Sequence, residues 1–487
     1  MLGSLPYLLY VFGMALLIGG CATSYPVNPP IAKIDRSTGY RYVTRATQFK
    51  DKENLVVLAF SGGGTRAAAF SYGVLEALRT MELTGPKGIK IRMLDEVDVI
   101  TGVSGGSFTA LAYGLYGENL FDFYASSFLK RNVQGDLLHR VLNPSTWTAW
   151  GRSETASKLY DEILFHGATF ADLDNGKGPF VVASATDITS GARIGFHQGI
   201  FDVLCSDLNA VPLSRAATAS SAVPLAFSPV TLHNYGGTCN YAVPAAFAAF
   251  SDPAAPATPR PAARYLAHVQ DLLAYEDSVH QPYIHLLDGG LSDNLGMRGI
   301  LETLDNMEAL KSVGEPTPLD NARRIVLFIV NSRSTPKSDW PEKERPPSEI
   351  ALLIKATGVP IDHYSYDTVE TLKDIVARWQ TLRRLAASPA FVQNKDPATA
   401  KLLTTPSVDL YVIDVSFPAL KDETERSYLN NLPTSFVLPP EAVDRLRAAA
   451  ATIVRDSPEF KRLLKDAGAT IAISPADDAA HALPEGR

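Results

Sequence analysis

The chain has 487 residues, of which 46% are hydrophobic and 20% are charged. This composition is typical of a globular protein, and the length suits one large α/β domain or two to three smaller ones. The net charge is −7 at pH 7, with no dense block of Lys and Arg and no interleaving of basic with aromatic residues, so nucleic acid is not an expected partner.

The N-terminal 32 residues carry no charged side chain. Within them, Tyr7–Gly20 is an apolar run that is short for a membrane span and suits the core of a signal peptide. Leu17-Ile18-Gly19-Gly20-Cys21 resembles the lipobox of bacterial lipoproteins, although no Lys or Arg precedes the run. We therefore predict a signal peptide at 1–20, lipidation of Cys21 and a tether at 21–50; a hydrophobic anchor with an incidental cysteine is the alternative.

Two further observations concern the compartment. The resemblance to lipoproteins, with Ala22 rather than Asp after the cysteine, implies an outer-membrane lipoprotein of the bacterial envelope that faces the periplasm or the exterior. Besides Cys21 the chain has two cysteines, Cys205 and Cys239. An even pair in an oxidising compartment predicts a disulfide between them, and two buried free thiols are the alternative.

A glycine-rich loop follows the first predicted strand, Asn54–Phe60. Gly62, Gly63 and Gly64 lie between this strand and a predicted helix, so their backbone N–H groups form a nest for an anion. The spacing fits neither a P-loop nor a dinucleotide-binding loop, which leaves an oxyanion hole for acyl transfer. Arg66 either supports this loop or pairs with a carboxylate.

A second strand-to-helix turn carries a serine. Val97–Val103 predicts a buried strand, and Gly102-Val103-Ser104-Gly105-Gly106 follows as a G-x-S-x-G before a helical pattern. Such a turn exposes the serine hydroxyl at a helix N-terminus, as a nucleophile requires. The alternative is a glycine-rich turn with an idle serine.

A carboxylate ends a later strand. Asp288 follows Tyr283–Leu287 and precedes Gly289 and Gly290, which leave room for another group to approach. The alternatives are a turn or helix-capping aspartate, and Asp293 competes in the same turn.

Strands and helices alternate along the rest of the chain, which predicts one α/β domain at 51–470 with a mostly parallel central sheet flanked by helices. The further strands are expected at Pro179–Thr186, Arg324–Asn331 and Val408–Phe417. An Ala/Pro-rich stretch at 243–263 predicts an inserted surface loop, which is a candidate lid, and 471–487 predicts a C-terminal tail.

The three motifs together resemble those of the patatin-like phospholipases over Asn54–Gly296. The resemblance extends to Ala219–Pro224 and to Asn431–Phe436, the latter similar to bacterial lipoprotein members. It implies a single patatin-like domain and a Ser–Asp dyad without a catalytic histidine, in which Ser104 is the nucleophile and Asp288 the base. Gly62, Gly63 and Gly64 would form the oxyanion hole.

The sequence departs from this family at two positions. Ser61 stands where many members have Asp, and Ala67 stands where many have Gly. Neither position is the nucleophile, but both lie in the loop that would bind the oxyanion.

The function that the resemblance implies is hydrolysis of carboxylic esters in membrane phospholipids or related lipids, without a metal or another cofactor. Its expected partners are the lipid substrate and, through the lipid anchor, the membrane surface. One alternative is an esterase with a Ser–acid–His triad, because His363 follows Ser104 and Asp288 in the order that such enzymes have. His285 is expected on the opposite strand face from Asp288 and is not a candidate base. The other is a lipid-binding envelope lipoprotein without turnover. Oligomeric state is left open.

Overall fold

The computed structural model describes most of the predicted domain. The described residues are 28–46, 54–84, 88, 90–142, 151–224, 226–243, 263–312, 317, 322–389 and 408–473. The predicted signal peptide, Cys21, nearly all of the predicted insert at 243–263 and residues 474–487 lie outside these ranges, so their predictions stand as predictions.

A mostly parallel sheet organises the described chain, as the alternating pattern predicts. Eight strands form it in the order β10-β9-β1-β4-β5-β8-β7, with β6 also paired to β5, while β11, β2 and β3 form a small antiparallel sheet. The strands in chain order are β1 (Asn54–Phe60), β2 (Met81–Thr84), β3 (Lys90–Arg92), β4 (Val97–Val103), β5 (Phe180–Asp187), β6 (Arg193–Gly195), β7 (Val230–His233), β8 (Tyr283–Asp288), β9 (Arg324–Asn331), β10 (Asp409–Ser416) and β11 (Thr470–Ile473).

Helices cover both faces of this sheet. They are α1 (Tyr42–Ala46), α2 (Gly64–Thr80), α3 (Gly105–Tyr116), α4 (Leu120–Tyr124), α5 (Val133–Leu142), α6 (Gly151–Tyr160), α7 (Phe170–Leu173), α8 (Gln198–Val203), α9 (Leu213–Ser220), α10 (Ala263–Leu273), α11 (Gly290–Asp293), α12 (Arg298–Ser312), α13 (Glu349–Ala386), α14 (Glu423–Asn430), α15 (Pro440–Asp456) and α16 (Pro458–Ala467). Shorter 3-10 and π-helical turns connect them.

The strand β1 explains why apolar runs form the centre of the fold. Leu58 and Phe60 face the larger hydrophobic cluster, while Val57 and Ala59 face a second cluster on the other side of the sheet. Successive strand residues point to opposite faces, so a strand covered on both sides must be apolar at nearly every position. The fold class is therefore confirmed as α/β with a mostly parallel, doubly covered sheet.

The region predicted as a tether differs from that expectation over residues 28–46. Asn28 exchanges two hydrogen bonds with the backbone of His233, at 2.8 and 2.9 Å. Tyr40 is fully buried and stacks on Phe180 with 4.9 Å between ring centroids. This stretch is therefore part of the domain, and it lacks a periodic pattern because it crosses the surface without forming a long helix or strand.

The C-terminal tail also begins later than predicted. Residues 470–473 form β11, which pairs antiparallel with β2 through Ile471 and Leu83 among others. Residues 471–473 thus belong to the folded domain.

The two cysteines predicted to pair lie together. A disulfide joins Cys205, just after α8, to Cys239, beyond β7, with 5.5 Å between the Cα atoms. The bond connects two loops that are 34 residues apart in sequence.

Among the described residues, no helix combines the length and the apolar character needed to cross a bilayer, and this includes the 38-residue α13.

Replacing Tyr40 with Ala tests whether the segment 28–46 is part of the core. We expect a loss of about 3–5 kcal/mol in the free energy of unfolding, because the change empties a buried aromatic site and removes the hydroxyl that accepts from the Val181 N–H. Urea unfolding followed by circular dichroism measures the effect. The matched control, Val43→Ala, changes an exposed side chain of the same segment and should cost less than about 0.5 kcal/mol. Equal stability of the two variants would show that the segment is a loose tether.

Candidate active site

The turn between β4 and α3 holds Ser104 in a strained backbone conformation. Its φ of 49° and ψ of −122° lie outside the regions that non-glycine residues normally adopt. The glycines beside it are required by close packing. A Cβ on Gly105 would lie 2.0 Å from the Gly64 carbonyl oxygen, and one on Gly106 would lie 2.7 Å from that of Phe60. The sequence signal for a sharp strand-to-helix turn therefore corresponds to the observed geometry.

Sheet register brings Ser104 and Asp288 together. Val103 of β4 pairs with Ser184 of β5, and the next β5 residue, Ala185, pairs with Asp288 of β8. The Ser104 hydroxyl donates to Asp288 Oδ2 at 2.9 Å, and the bond is buried. Two motifs 184 residues apart in sequence thus form one contact.

The environment of Asp288 makes its carboxylate more basic than that of an exposed aspartate. Its side chain is buried, with 8% of the residue exposed, and Oδ1 accepts from the Gly290 N–H at 2.7 Å. Burial raises the pKa of Asp288 to about 6, while hydrogen bonds from the Gly290 N–H and the Ser104 hydroxyl oppose the rise. A carboxylate with this pKa is largely ionised at pH 7 but is a much better proton acceptor than an exposed aspartate.

The end of α9 fixes both halves of the contact. The Ser104 N–H donates to the Ser220 hydroxyl at 2.9 Å, and the Gly289 N–H donates to the Ser220 carbonyl at 3.0 Å. The Asp288 N–H bonds the Ala222 carbonyl at 3.0 Å. The small-residue block around Ser220, which composition alone explains as close packing, therefore positions the serine and the aspartate.

The glycine loop lies against the serine turn. Gly63 and Gly64 have positive φ values of 142° and 61°, and the Gly64 peptide packs on Gly105. The Gly62 N–H donates to the Asn294 carbonyl at 2.9 Å and is already used. Within the described residues, the N–H groups of Gly63 and Gly64 have no hydrogen-bond partner. Of the three glycines predicted to bind an oxyanion, Gly63 and Gly64 therefore remain as candidate N–H donors, and Gly62 does not.

The Arg66 side chain connects the glycine loop to two later segments of the chain. Its guanidinium donates to the carbonyls of Ser332 and Leu432 at 2.7 and 2.9 Å and to the Thr434 hydroxyl at 3.1 Å. Burial lowers the pKa of Arg66 to about 10. Of the two roles left open by the sequence, these contacts favour loop support, because they join the start of α2 to the ends of two distant segments.

Ser61 has its own partner in the same place. Its hydroxyl accepts from the Ser332 N–H at 3.0 Å and lies 3.3 Å from the Ser332 hydroxyl. A neutral serine pair thus occupies the position where many patatin-like proteins have Asp. Ala67, the second departure, is buried in the first turn of α2.

The long helix α13 contributes a contact that no sequence pattern predicts. The Tyr364 hydroxyl donates to the Gly290 carbonyl, and the Gly290 N–H donates to the Asp288 carboxylate. Tyr364 therefore holds the aspartate turn, and only the three-dimensional packing reveals this contact.

Asp293 and His285, the other side chains considered near the aspartate turn, have partners of their own. The Asp293 carboxylate accepts from the N–H groups of Met297 and Arg298 at 3.1 and 2.8 Å, so it caps α12. His285 is exposed and bonds Thr231, on the face away from Asp288 as the strand alternation predicts.

His363 is exposed too, and in the described part of the chain no histidine contacts either Ser104 or Asp288. The same ranges contain no group of three His, Cys, Asp or Glu side chains placed to hold a metal ion.

Residues 58–300 match the family model described as patatin-like phospholipase. Among solved structures, human GIVD cytosolic phospholipase A2 is similar with 13% identity and a TM-score of 0.44, covering 92% of this chain and 66% of that one. VipD from Legionella pneumophila is similar with 10% identity and a TM-score of 0.31, covering 96% and 77%.

The chain thus spans just under two thirds of the human protein. No curated protein matches the sequence. Through residues 58–300, which include the glycine loop, the serine turn and the aspartate turn, the chain is a member of the patatin-like phospholipase family.

Proposed function

We propose that this protein is a lipid acyl hydrolase that cleaves carboxylic esters with Ser104 as nucleophile and Asp288 as base. One observation carries the proposal: the Ser104 hydroxyl bonds the carboxylate of a buried Asp288 at 2.9 Å. A serine attacks an ester only when a group beside it takes its proton, and burial makes Asp288 basic enough for that. The family supports this activity at the level of lipid ester hydrolysis.

The first half-reaction forms an acyl-enzyme. Asp288 takes the proton as Ser104 Oγ attacks the ester carbonyl carbon, which gives a tetrahedral oxyanion. The N–H groups of Gly63 and Gly64 stabilise this charge. Collapse of the intermediate breaks the bond to the alcohol, and protonated Asp288 returns its proton to the leaving oxygen.

The second half-reaction restores the enzyme. Asp288, again ionised, accepts a proton from water as the water oxygen attacks the acyl carbon. The same N–H groups hold the second oxyanion, and its collapse releases the fatty acid while the proton passes to Ser104 Oγ. Each cycle therefore consumes one ester and one water and yields one alcohol and one acid.

Phospholipid is the proposed substrate class, as a phospholipase A or lysophospholipase activity, because the family's own description names phospholipase. The proposal includes attachment to a membrane through lipidated Cys21 in the bacterial envelope, which rests on the lipobox-like sequence before this residue.

The contacts of Asp288 favour a dyad over a Ser–acid–His triad. Its carboxylate oxygens accept from Ser104 and Gly290, and the triad candidate His363 is exposed. A binding protein without turnover has less support, since it would not need a strained serine with a basic carboxylate beside it.

Replacing either member of the dyad tests the proposed chemistry. We expect Ser104→Ala to lower phospholipid hydrolysis at least about a thousandfold, and Asp288→Asn to lower it about 10²–10⁴-fold, because the proton acceptor is lost. Mass spectrometry of free fatty acid and lysolipid, without added metal, measures both. Ser71→Ala, a buried serine of α2, is the control and should retain activity. Unchanged hydrolysis by Asp288→Asn would exclude Asp288 as the base.

The pH dependence tests the basicity of Asp288. Only the ionised carboxylate accepts the serine proton, so kcat/KM should fall on acidification through about pH 6, the raised pKa of Asp288. At lower pH the slope should approach tenfold per pH unit. Stopped assays with a neutral short-chain ester measure the profile. A midpoint near the ordinary carboxyl value of 3.8, or a rate that rises on acidification, would contradict this assignment.

Fatty-acid labelling tests the membrane attachment. Bacteria that express the full chain and are fed an alkyne fatty acid should incorporate the label, and Cys21→Ser should lose it, because the thiol is the acceptor. Ser24→Ala, three residues further along, should keep the label. Equal labelling of all three proteins would contradict lipidation at Cys21.

A further inference from the structure

The strands β7 and β8 form a ribbon that extends beyond the edge of the main sheet. β8 pairs with β5 only at its end, from Leu286 opposite Asp187 to Asp288 opposite Ala185. Its beginning pairs with β7, where Tyr283 lies opposite His233. β5 runs parallel to β4, so the ribbon projects past the carboxyl edge at which Ser104 lies. Asp288 lies five positions after Tyr283, which is about 17 Å along the strand.

Apolar and aromatic side chains at the end of this ribbon and beside it are exposed or partly exposed. Tyr283 and His233 belong to the ribbon and Tyr235 follows it, whereas Ile188 follows β5 beside His285 and Val279 precedes β8 by four residues. Val279 is 84% exposed, and Tyr283 and Ile188 are each 51% exposed. The His233 ring packs on those of Tyr283 and Tyr235, with centroids 4.9 and 5.3 Å apart. We call these five residues the ribbon tip. Single exposed apolar side chains are ordinary, but several on and beside one projecting ribbon are typical of an interaction surface.

The N-terminal part of the chain arrives at the same place. The Asn28 side chain donates to the His233 carbonyl at 2.8 Å and accepts from the His233 N–H at 2.9 Å. Asn28 follows Cys21 by seven residues, and seven residues span at most about 25 Å. A lipid on Cys21 therefore keeps the ribbon tip within that distance of the bilayer.

We propose that the ribbon tip is the surface that rests on the lipid bilayer, so that the Ser104 edge of the sheet faces the membrane. The inference rests on the proposed function and on lipidation of Cys21. Ligands of parallel α/β sheets enter at the carboxyl ends of the strands, which is the edge that this placement turns towards the lipid.

The chemistry of the tip indicates the kind of bilayer. Tyrosine and histidine rings with a polar end suit the membrane interface, where one side of the ring is apolar and the other is wet. The neighbouring charges are acidic or balanced: Glu276 is exposed, and Asp277 pairs with His280 at 2.8 Å. A surface of this charge fits zwitterionic phosphatidylcholine headgroups better than anionic lipid, which would repel it.

Photolabelling of the anchored protein tests the placement. The full chain is reconstituted in phosphatidylcholine vesicles that contain a diazirine phosphatidylcholine, irradiated and analysed by peptide mass spectrometry. We expect at least about tenfold more label on the peptide with Val279 and Tyr283 than on the peptide with Val43. Side chains that enter the lipid interface lie within reach of the diazirine lipid, whereas side chains away from the bilayer do not. Val43 is 71% exposed but lies on α1, whose Tyr42 packs on Phe180 at the amino end of β5.

Label that is equal on the two peptides, or absent from the ribbon tip, would overturn the proposal, as would stronger tip labelling in anionic than in zwitterionic vesicles. A dimer that dissociates when the tip is changed would instead assign the tip to a second copy of the chain, and would equally overturn it. Cross-linking and light scattering detect this case.

Activity provides the second readout. The double variant Val279→Asp/Tyr283→Asp should hydrolyse bilayer phospholipid at least about fivefold more slowly, because the lost apolar contact weakens adsorption. It should hydrolyse a soluble short-chain ester within about twofold of the parent rate, and Val43→Asp should match the parent on both substrates.

A loss on the soluble ester as large as that on the bilayer would overturn the docking role. If the parent cleaves neither substrate, the proposed hydrolase function fails, whereas the labelling result still decides the docking surface. The labelling needs no variant, so it also decides the case if the double variant does not fold.

Discussion

The hydrogen bond between the Ser104 hydroxyl and the buried carboxylate of Asp288 is the constraint on which the rest of the site depends. The rise of the Asp288 pKa to about 6 means that keeping it ionised at pH 7 costs about 3 kcal/mol relative to an exposed aspartate. The fold must hold this unfavourable charge beside a strained serine. It does so through strand register, through the Gly290 N–H, and through Ser220, whose hydroxyl and carbonyl bind the two turns.

The downstream part of the chain completes a site whose motifs all lie within residues 58–300. Arg66 reaches the carbonyls of Ser332 and Leu432, and the Thr65 N–H bonds the Ser435 carbonyl at 2.9 Å. The Tyr364 hydroxyl binds the turn after Asp288. The glycine loop and the aspartate turn are thus each held by segments beyond the family match, so these segments are part of the architecture of the site rather than an appendage.

Much of this arrangement can be predicted from the sequence, because strand and turn signals are local. Apolar runs identify the central strands, and glycines at their ends identify the turns that carry Ser104 and Asp288. Contacts set by packing alone leave no such signal. Two such contacts are the hydrogen bond from the Gly62 N–H to the Asn294 carbonyl and the one from the Tyr364 hydroxyl to the Gly290 carbonyl. Both depend on how distant segments meet. For the same reason the sequence predicts a tether over residues 28–46, because the contacts that fix this segment follow no period.

Covalent labelling of the nucleophile tests the Ser104–Asp288 dyad without depending on the identity of the lipid substrate. A fluorophosphonate reacts with a serine only when its hydroxyl is activated, and peptide mass spectrometry then identifies the modified residue. We expect one adduct, on Ser104, which forms more slowly below about pH 6 and at least about a hundredfold more slowly in Asp288→Asn. An adduct on another residue, or equal labelling rates in the parent and in Asp288→Asn, would contradict the dyad.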